Sequence, residues 1–327
     1  MIQSIYYLNG KIKTGLTQAE IKEILEQNQG VLWVDLNQTT TAESLSILQD
    51  LFGFHPLAVE DALEEVHVPR VDDWGEYLYC VLHTIRFDLT QEEPMQTNEL
   101  DVFLGKHYLV TYQSSSIPVI AKVWESVQRD TRFLQRGADH LFYKLADDLV
   151  GETLPVVDQM DDAIDSIEDL MFESTNQELL EKIFTLKRAL LHLRRILMPQ
   201  REVFNKLARD TDQVIDIQER VFFRDIYDHL VRLYDISESL RDLISSVLDT
   251  YLSVVNNRMN DVMKTLTIIT TLFMPISFLT GFFGMNFFAA EPPLEGWTSH
   301  PSFFVVMAIF ILLPIAMFIW MRSRKWM

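Results

Sequence analysis

Polar side chains recur at helical spacing inside a segment that is uncharged enough to cross a membrane. From residue 265 to residue 290 the sequence has no Asp, Glu, Lys, Arg or His, and roughly 20 apolar residues span a bilayer core. Polar groups in such a segment face either another helix or water, and small residues also suit dry helix packing. Periodicity alone leaves pore lining and helix packing as equal alternatives. The face comprises Asn260, Met263, Thr267, Thr270, Met274, Ser277 and Gly281.

A second uncharged segment, residues 301–321, predicts a two-span membrane anchor. Basic residues flank the pair of spans on the sides away from loop 287–300, which itself contains no Lys or Arg. The positive-inside rule therefore predicts cytoplasmic termini and an outer loop. Two spans cannot enclose a pore, so a pore would require a homo-oligomer with the first span innermost. The flanking charges are Arg258, Lys264, Arg322, Arg324 and Lys325, and the loop holds Glu291 and Glu295.

Composition and motifs exclude several classes of function. The formal charge of −19 argues against a nucleic-acid partner, because phosphate backbones attract basic surfaces. Cys80 is the only cysteine, so a thiolate metal cluster is excluded. The sequence shows no P-loop, dinucleotide-binding fingerprint or nucleophile elbow, and the N-terminus has no signal-peptide pattern. We expect no enzyme and no organic cofactor.

The segment before the spans reads as an α/β domain followed by helices. Enrichment in β-branched and aromatic residues predicts strands at 31–36, 77–87 and 101–112, and helical patterns follow from about residue 119. A helix over 156–171 then separates an apolar face from an acidic one. The acidic face is either an ordinary solvated surface or a reservoir for divalent cations. It comprises Asp158, Asp161, Asp162, Asp165 and Asp169.

A glycine-free stretch predicts one long helix from residue 213 to residue 283. Its apolar positions alternate spacings of four and three, which is a heptad seam with one polar position. Packing against helices of the same chain and packing between copies of the chain both explain this seam. The seam comprises Ile226, Leu230, Leu233, Ser237, Leu240, Ile244, Val247, Tyr251 and Val254.

Gly284-Met285-Asn286 after such a span, with a short acidic loop, a final span and a basic tail, resembles the CorA family of magnesium transporters. Segments 52–79, 223–230, 248–287 and 324–327 carry the resemblance, which covers nearly the whole chain. It implies an α+β membrane protein that forms a funnel-shaped homopentamer. The implied parts are a cytoplasmic α/β domain (1–115), a helical region (116–212), a stalk (213–262), a pore helix (263–286), an outer loop (287–300), a second span (301–321) and a basic tail (322–327).

The resemblance also implies roles for individual residues. Gly284, Met285 and Asn286 would form a selectivity filter, with Glu291 and Glu295 concentrating cations at the outer mouth. Asp88 and Asp249 would bind Mg²⁺ between subunits and close the channel. The pore lining implied by the family has Leu266 where the spacing above has Thr267. It comprises Asn260, Met263, Leu266, Thr270, Met274, Ser277 and Gly281.

The implied function is influx of Mg²⁺, and also of Co²⁺ or Ni²⁺, through the inner cell membrane. Mg²⁺ gives up its waters reluctantly, so a neutral ring of Asn286 oxygens could accept hydrogen bonds from a hydrated ion. The membrane potential would drive transport, and lipids, divalent cations and further copies of the chain would be the partners. A zinc transporter of the related two-span family, perhaps with proton coupling, is the nearest alternative. A membrane-anchored coiled-coil scaffold or sensor is another.

Overall fold

A seven-stranded sheet occupies the N-terminal part of the protein, whose structure is a computed structural model. The structure describes residues 1–64, 68–91, 93–173, 176–210, 213–284 and 300–324. The chain divides into two compact units, Met1–Leu248 and Asp249–Met327. The boundary falls inside the longest helix, and each unit is described by itself.

The sheet has the strand order β2-β1-β3-β7-β6-β5-β4. Neighbouring strands are antiparallel except β3 and β7, which pair in parallel with Trp33 opposite Leu109. The single parallel pair requires a crossover connection between β3 and β7. The strands are β1 (Ile2–Leu8), β2 (Lys11–Thr14), β3 (Val31–Asn37), β4 (Arg70–Asp73), β5 (Tyr77–Phe87), β6 (Met95–Gly105) and β7 (Tyr108–Gln113).

Two of the three predicted strands are confirmed, as β3 and β5. The prediction of one strand over 101–112 is wrong, because the chain turns back at Lys106 and His107 to form β6 and β7. Asp101 then pairs with Tyr112 across the antiparallel ladder. Glycine is required at position 105, the last residue of β6, because a Cβ there would lie 2.3 Å from the ring of Tyr108.

Helices cover both faces of the sheet, so its central strands are buried on both sides. In β3, Val34 belongs to the core beneath the helices α1 (Gln18–Gln27), α2 (Thr41–Leu45) and α3 (Pro56–Leu63). A π-helical turn, Ser46–Leu51, follows α2 directly. Trp33 points the other way, where its ring centroid lies 4.7 Å from that of Trp124. The N-terminal part is therefore a layered α/β domain.

The second face of the sheet carries the longer helices. The apolar face of α7 is buried, whereas every residue of the predicted acidic face is exposed. Gln200 of α8 ties this layer to the sheet, because its side-chain oxygen accepts the backbone N–H of His83 at 2.9 Å. The helices are α4 (Pro118–Arg129), α5 (Arg132–Gln135), α6 (Ala138–Gly151), α7 (Thr153–Glu173), α8 (Gln177–Arg209), α9 (Arg220–Gly284) and α10 (His300–Ser323).

The long helix α9 begins at Arg220 and not at residue 213 as the sequence predicts. Val214 and Ile215 are buried before it starts, and the Asp139 carboxylate accepts the backbone N–H of Asp216 at 3.0 Å. This anchored turn satisfies backbone groups that a longer helix would have paired internally.

The heptad seam of α9 is buried from Ile226 to Val247 within a single chain. Contacts to α8 contribute, since Arg194 donates to the Tyr234 hydroxyl at 2.9 Å and to Glu238 at 3.1 Å. The polar position, Ser237, donates its hydroxyl to the Tyr234 carbonyl at 2.7 Å. Packing within the chain therefore explains the seam over this range.

Candidate ion pathway and regulatory carboxylates

The second unit contains the segments that can cross a membrane. Within the described residues, the helices Arg220–Phe282 and Pro301–Ser323 are each long and apolar enough to do so, and the uncharged part of the first begins at residue 265, in the second unit. Pro275 and Pro314 lie inside these helices without ending them. Helices in a membrane tolerate such prolines, because neighbouring groups satisfy the freed carbonyls.

One stripe of α9 is partly covered inside this unit. Its members recur at the spacing of a single helix face, i, i+3, i+4, i+7, i+8 and i+11. A matching stripe with spacings of three and four runs along α10, and we interpret the two as the surface where the helices pack together. On α9 the stripe comprises Ile268, Thr271, Leu272, Pro275, Ile276 and Leu279, and on α10 it comprises Ser302, Val306, Phe310, Leu313, Met317 and Met321.

The predicted pore-lining residues are all exposed, and all but Asn260, which points about 90° away, lie on the side of α9 away from the stripe. At 100° per residue, Thr270 and Ser277 point about 170° away from the centre of the covered stripe. Leu266 points about 150° away and Thr267 only about 110°. This geometry favours Leu266 over Thr267 as a residue of the uncovered face, in agreement with the family pattern. Leu266 is 56% exposed and Met274 69% exposed in the single chain.

Polar groups on this part of α9 are compatible with an apolar surrounding. The hydroxyl of Thr267 donates to the Met263 carbonyl at 2.8 Å, and that of Thr280 donates to the Ile276 carbonyl at 2.8 Å. A hydroxyl paired in this way no longer needs an external acceptor, although its oxygen can still accept a hydrogen bond. At Gly281 an added Cβ would meet no atom within 4 Å, so packing within this chain does not require glycine there.

The predicted selectivity filter lies at the end of the described part of α9. Gly284 is the last residue of the helix and is exposed. Met285, Asn286 and the outer-mouth acids Glu291 and Glu295 lie outside the described residues. Their predicted roles therefore rest on the sequence.

Asp88, one of the two predicted regulatory carboxylates, follows the last residue of β5 and is exposed. One of its oxygens accepts the Thr90 backbone N–H at 2.9 Å and the Thr90 hydroxyl at 2.6 Å. The other accepts the Gln91 side-chain amide at 3.3 Å. These bonds, that of the Thr90 hydroxyl first, hold the pKa of Asp88 below its usual range. The side chain is therefore a fixed, ionised carboxylate at neutral pH.

Asp249, the second predicted regulatory carboxylate, is exposed on α9 and belongs to the second unit. Among the described residues, no group of three or more His, Cys, Asp or Glu side chains could hold a metal ion. A single described chain thus offers isolated carboxylates, and a complete metal site would need ligands from another copy or from water.

Some groups that fix these carboxylates and helices are not among the residues predicted from sequence. Thr90 and Gln91 are such groups, although an Asp followed two residues later by Thr is a recognisable turn signal. The pairing of Glu219 with Arg136 and His140, at 2.6 and 2.7 Å, is another. It joins residues about 80 positions apart, and no local pattern could have indicated it.

Comparison with known proteins supports one family over almost the whole chain. Residues 28–324 match the family described as "CorA-like Mg2+ transporter protein". The chain belongs to this family. It is 35% identical to a "Putative metal ion transporter YfjQ" of Bacillus subtilis, over 95% of this chain and 94% of the other. It is 32% identical to a "Cobalt/magnesium transport protein CorA" of Thermotoga maritima, over 90% of this chain and 83% of the other.

Zinc transporters and a solved structure complete the comparison. A "Zinc transport protein ZntB" of Yersinia pseudotuberculosis is 26% identical over 98% of this chain and 95% of its own, a more distant match. The full-length structure of CorA from Methanocaldococcus jannaschii superposes with a TM-score of 0.84, covering 100% of this chain and 99% of the other at 22% identity. This likeness establishes the CorA fold: an α/β N-terminal domain, a long helix and a C-terminal apolar helix.

Proposed function

We propose that the protein is a homo-oligomeric Mg²⁺ channel of the CorA family, in which the uncovered face of α9 lines the pore. The observation that supports this most directly is the position of the covered stripe. We take the half-buried stripe of α9, which is opposite Thr270 and Ser277, as the face that packs on α10. A ring of chains would therefore place α9 innermost with its polar and small residues inward, and α10 outside against lipid.

Gly281 supports the same arrangement. Glycine is favoured where two backbones approach closely in a membrane, yet no atom from elsewhere in the described residues lies within 4 Å of a Cβ added at Gly281. Neighbouring copies around a pore axis are the natural partners for that side. The pentameric state remains an inference from the family.

Magnesium fits the lining better than zinc does. The proposed pore residues offer amide, hydroxyl, thioether and backbone groups, with no histidine, cysteine or carboxylate among them. Zinc prefers nitrogen and sulfur ligands, whereas Mg²⁺ prefers oxygen and keeps most of its waters. Asn286 and the carbonyls of Gly284 and Met285 would accept hydrogen bonds from those waters, which selects the hydrated ion without stripping it.

The driving force is the membrane potential. A doubly charged ion gains about 4.6 kcal/mol per 100 mV, twice the value for a single charge. No nucleotide-binding motif is present in the sequence to supply energy otherwise. Entry into an inside-negative cell is therefore the direction of transport.

Asp88 and Asp249 would close the channel when cytoplasmic Mg²⁺ is high. Asp88 is held ionised by Thr90, and Asp249 is exposed on α9. Mg²⁺ bridging these carboxylates between copies would offset their repulsion. Its loss would leave like charges facing each other and favour opening, with Met263, Leu266 and Met274 as the apolar rings that open.

Flux into liposomes that contain the purified full-length chain tests the proposal. With internal Mg²⁺ near zero and an inside-negative potential, we expect Mg²⁺ uptake that follows the voltage and falls as internal Mg²⁺ rises. Asn286→Ala should abolish uptake and leave the oligomer intact by light scattering. Zn²⁺ uptake that depends on a proton gradient would assign the chain to zinc transport, and no flux of any ion from a folded oligomer would favour a scaffold.

A further inference from the structure

Helix α8 carries an exposed face that mixes large apolar residues with arginine. Phe184, Leu191 and Met198 recur every seven residues and are 45%, 41% and 53% exposed. Arg188 and Arg195 lie beside them on the same face and are also exposed. We call these five residues the apolar-basic stripe. Three large apolar side chains in one line on a cytoplasmic helix favour a partner that covers them.

Among the described residues, the two arginines of this stripe have no carboxylate in ion-pair distance. Arg188 donates only to the Thr185 hydroxyl, at 3.3 Å, and neither Arg188 nor Arg195 pairs with a carboxylate of the described residues. By contrast, Arg194 and Arg201 on the same helix pair with Glu238 and Glu202. The stripe therefore presents unused positive charge.

The acidic face of α7 has the opposite character. None of its five aspartates forms an ion pair with a described Lys or Arg side chain, and all are exposed. Leu154, 46% exposed, continues this face toward the start of α7. The acidic face of α7 is therefore opposite in charge to the arginines of the stripe on α8.

The two surfaces also match in position. Residues 174–176 join α7 to α8, and helices α7 and α8 pack against each other, so residues equally distant from this connection lie at one level of the hairpin. Asp162 is then level with Arg188, and Leu154 is near the level of Met198. The docking requires that the rotation axis of the ring run along the hairpin, because such a rotation keeps these levels.

We infer that the acidic face of α7 in one copy docks on the apolar-basic stripe of α8 in the next copy of this chain. A ring is built from a heterologous interface, in which two different surfaces of each chain meet, and these are two different surfaces of complementary charge. Each docking would pair Asp162 with Arg188 and would cover Phe184, Leu191 and Met198. The inference rests on the homo-oligomer proposed above. It adds a contact between neighbouring copies that is made by α7 and α8 in the N-terminal part of the chain.

Cysteine cross-linking tests the contact directly in the full-length chain. The native Cys80 is fully buried, so the wild-type chain should give no product. The double variant Asp162→Cys/Arg188→Cys, treated with a short bis-maleimide, should give a ladder of covalent oligomers on a denaturing gel. The matched control is Asp162→Cys/Lys206→Cys, whose second cysteine is exposed on the same helix but lies about 27 Å further along it; it should give none.

Charge reversal separates a specific contact from chance proximity. In the cross-linking background, Arg195→Glu should lower the yield several-fold, because it places an acid opposite the acidic face. Adding Asp158→Arg should restore the yield. Labelling with a maleimide-polyethylene glycol reports whether both introduced cysteines are exposed and the variants folded.

The outcomes distinguish this inference from the proposed function. An oligomer by light scattering that labels fully yet forms no ladder overturns the α7–α8 contact and leaves the channel proposal intact; the acidic face is then a solvated or ion-binding surface. A chain that is monomeric by light scattering overturns the oligomer itself. A ladder insensitive to both charge reversals also contradicts the docking of these two surfaces.

Discussion

The Nδ1 atom of His140 lies 2.7 Å from one carboxylate oxygen of Glu219, while Arg136 contacts the other oxygen at 2.6 Å. His140 and Glu219 are both buried. The guanidinium of Arg136 also lies 4.6 Å from the centroid of the Phe222 ring. One glutamate thus connects the start of α6 to the turn that precedes α9.

Glu219→Ala should destabilise the N-terminal unit by about 2 kcal/mol, because it removes the acceptor of a buried histidine. Arg136 is 46% exposed along its side chain, so it can turn to solvent and adds less to this cost. Thermal unfolding followed by circular dichroism measures the effect. The matched control is Glu202→Ala, whose ion pair with Arg201 is half exposed and should contribute below about 1 kcal/mol. Equal shifts for the two variants would contradict the special role of Glu219.

Stability should decrease as pH rises through the range in which Asp35 ionises. Burial raises the pKa of Asp35 to about 6, although hydrogen bonds from Thr111 and Gln113 act in the opposite direction. A folded-state pKa above the unfolded value means that the native state holds the proton more tightly. The resulting stabilisation is full below about pH 4 and is lost as pH rises through about 6.

The measurement is the pH dependence of unfolding in the wild type and in Asp35→Asn. The variant lacks the titration, so the wild type should lose about 3 kcal/mol relative to it between pH 4 and pH 7. Trp33 provides a fluorescence signal next to the site, because its Nε1 donates to the Thr111 hydroxyl at 3.1 Å. A constant difference between the two proteins over this range would contradict the buried titration.

The strands show which parts of the fold were readable from sequence. β3 and β5 were predicted because their β-branched and aromatic residues form long uninterrupted runs. Asn9 and Gly10, both with positive φ, join β1 to β2. An Asn-Gly pair between candidate strands is a strong hairpin signal, although these two strands are not among those predicted above. Gly105 was a weaker signal, since only its contact with Tyr108 shows why a side chain cannot be placed there.

The candidate site also has features that the sequence predicts and features that it does not. Helical spacing alone placed Thr270, Met274 and Ser277 on one face of α9, because side-chain direction in a helix follows from position. Spacing could not decide between pore lining and packing, since that depends on which face α10 covers. The contacts of Gln200 with His83 and of Glu219 with His140 join distant parts of the chain, and single-sequence periodicity contains no information about them.

Asp249→Asn should weaken closure of the channel by internal Mg²⁺. Mg²⁺ uptake by the variant should then continue at internal Mg²⁺ concentrations that stop uptake by the wild type. Asp88→Asn should act in the same direction, because each removes one carboxylate from the proposed bridge. Liposome flux against internal Mg²⁺ measures this. Asp242→Asn is the matched control, since Asp242 is exposed on the same helix but pairs with Arg241 at 2.6 Å. Unchanged inhibition in both Asp88→Asn and Asp249→Asn would exclude these residues as the regulatory site.

Neighbouring positions on α9 provide a sharp test of the pore face. Ser277→Cys places a thiol on the uncovered face, and Ile276→Cys places one on the stripe covered within the unit. The only native cysteine, Cys80, is fully buried in the N-terminal unit. The thiol reagent should therefore react only with the introduced cysteine of each variant. A charged, membrane-impermeant thiol reagent should block Mg²⁺ uptake through Ser277→Cys and leave Ile276→Cys active. Because one residue turns a helix by 100°, block of Ile276→Cys alone would mean that a different face of α9 meets the ion, and the assignment of Leu266, Thr270 and Met274 to the pore would fail with it.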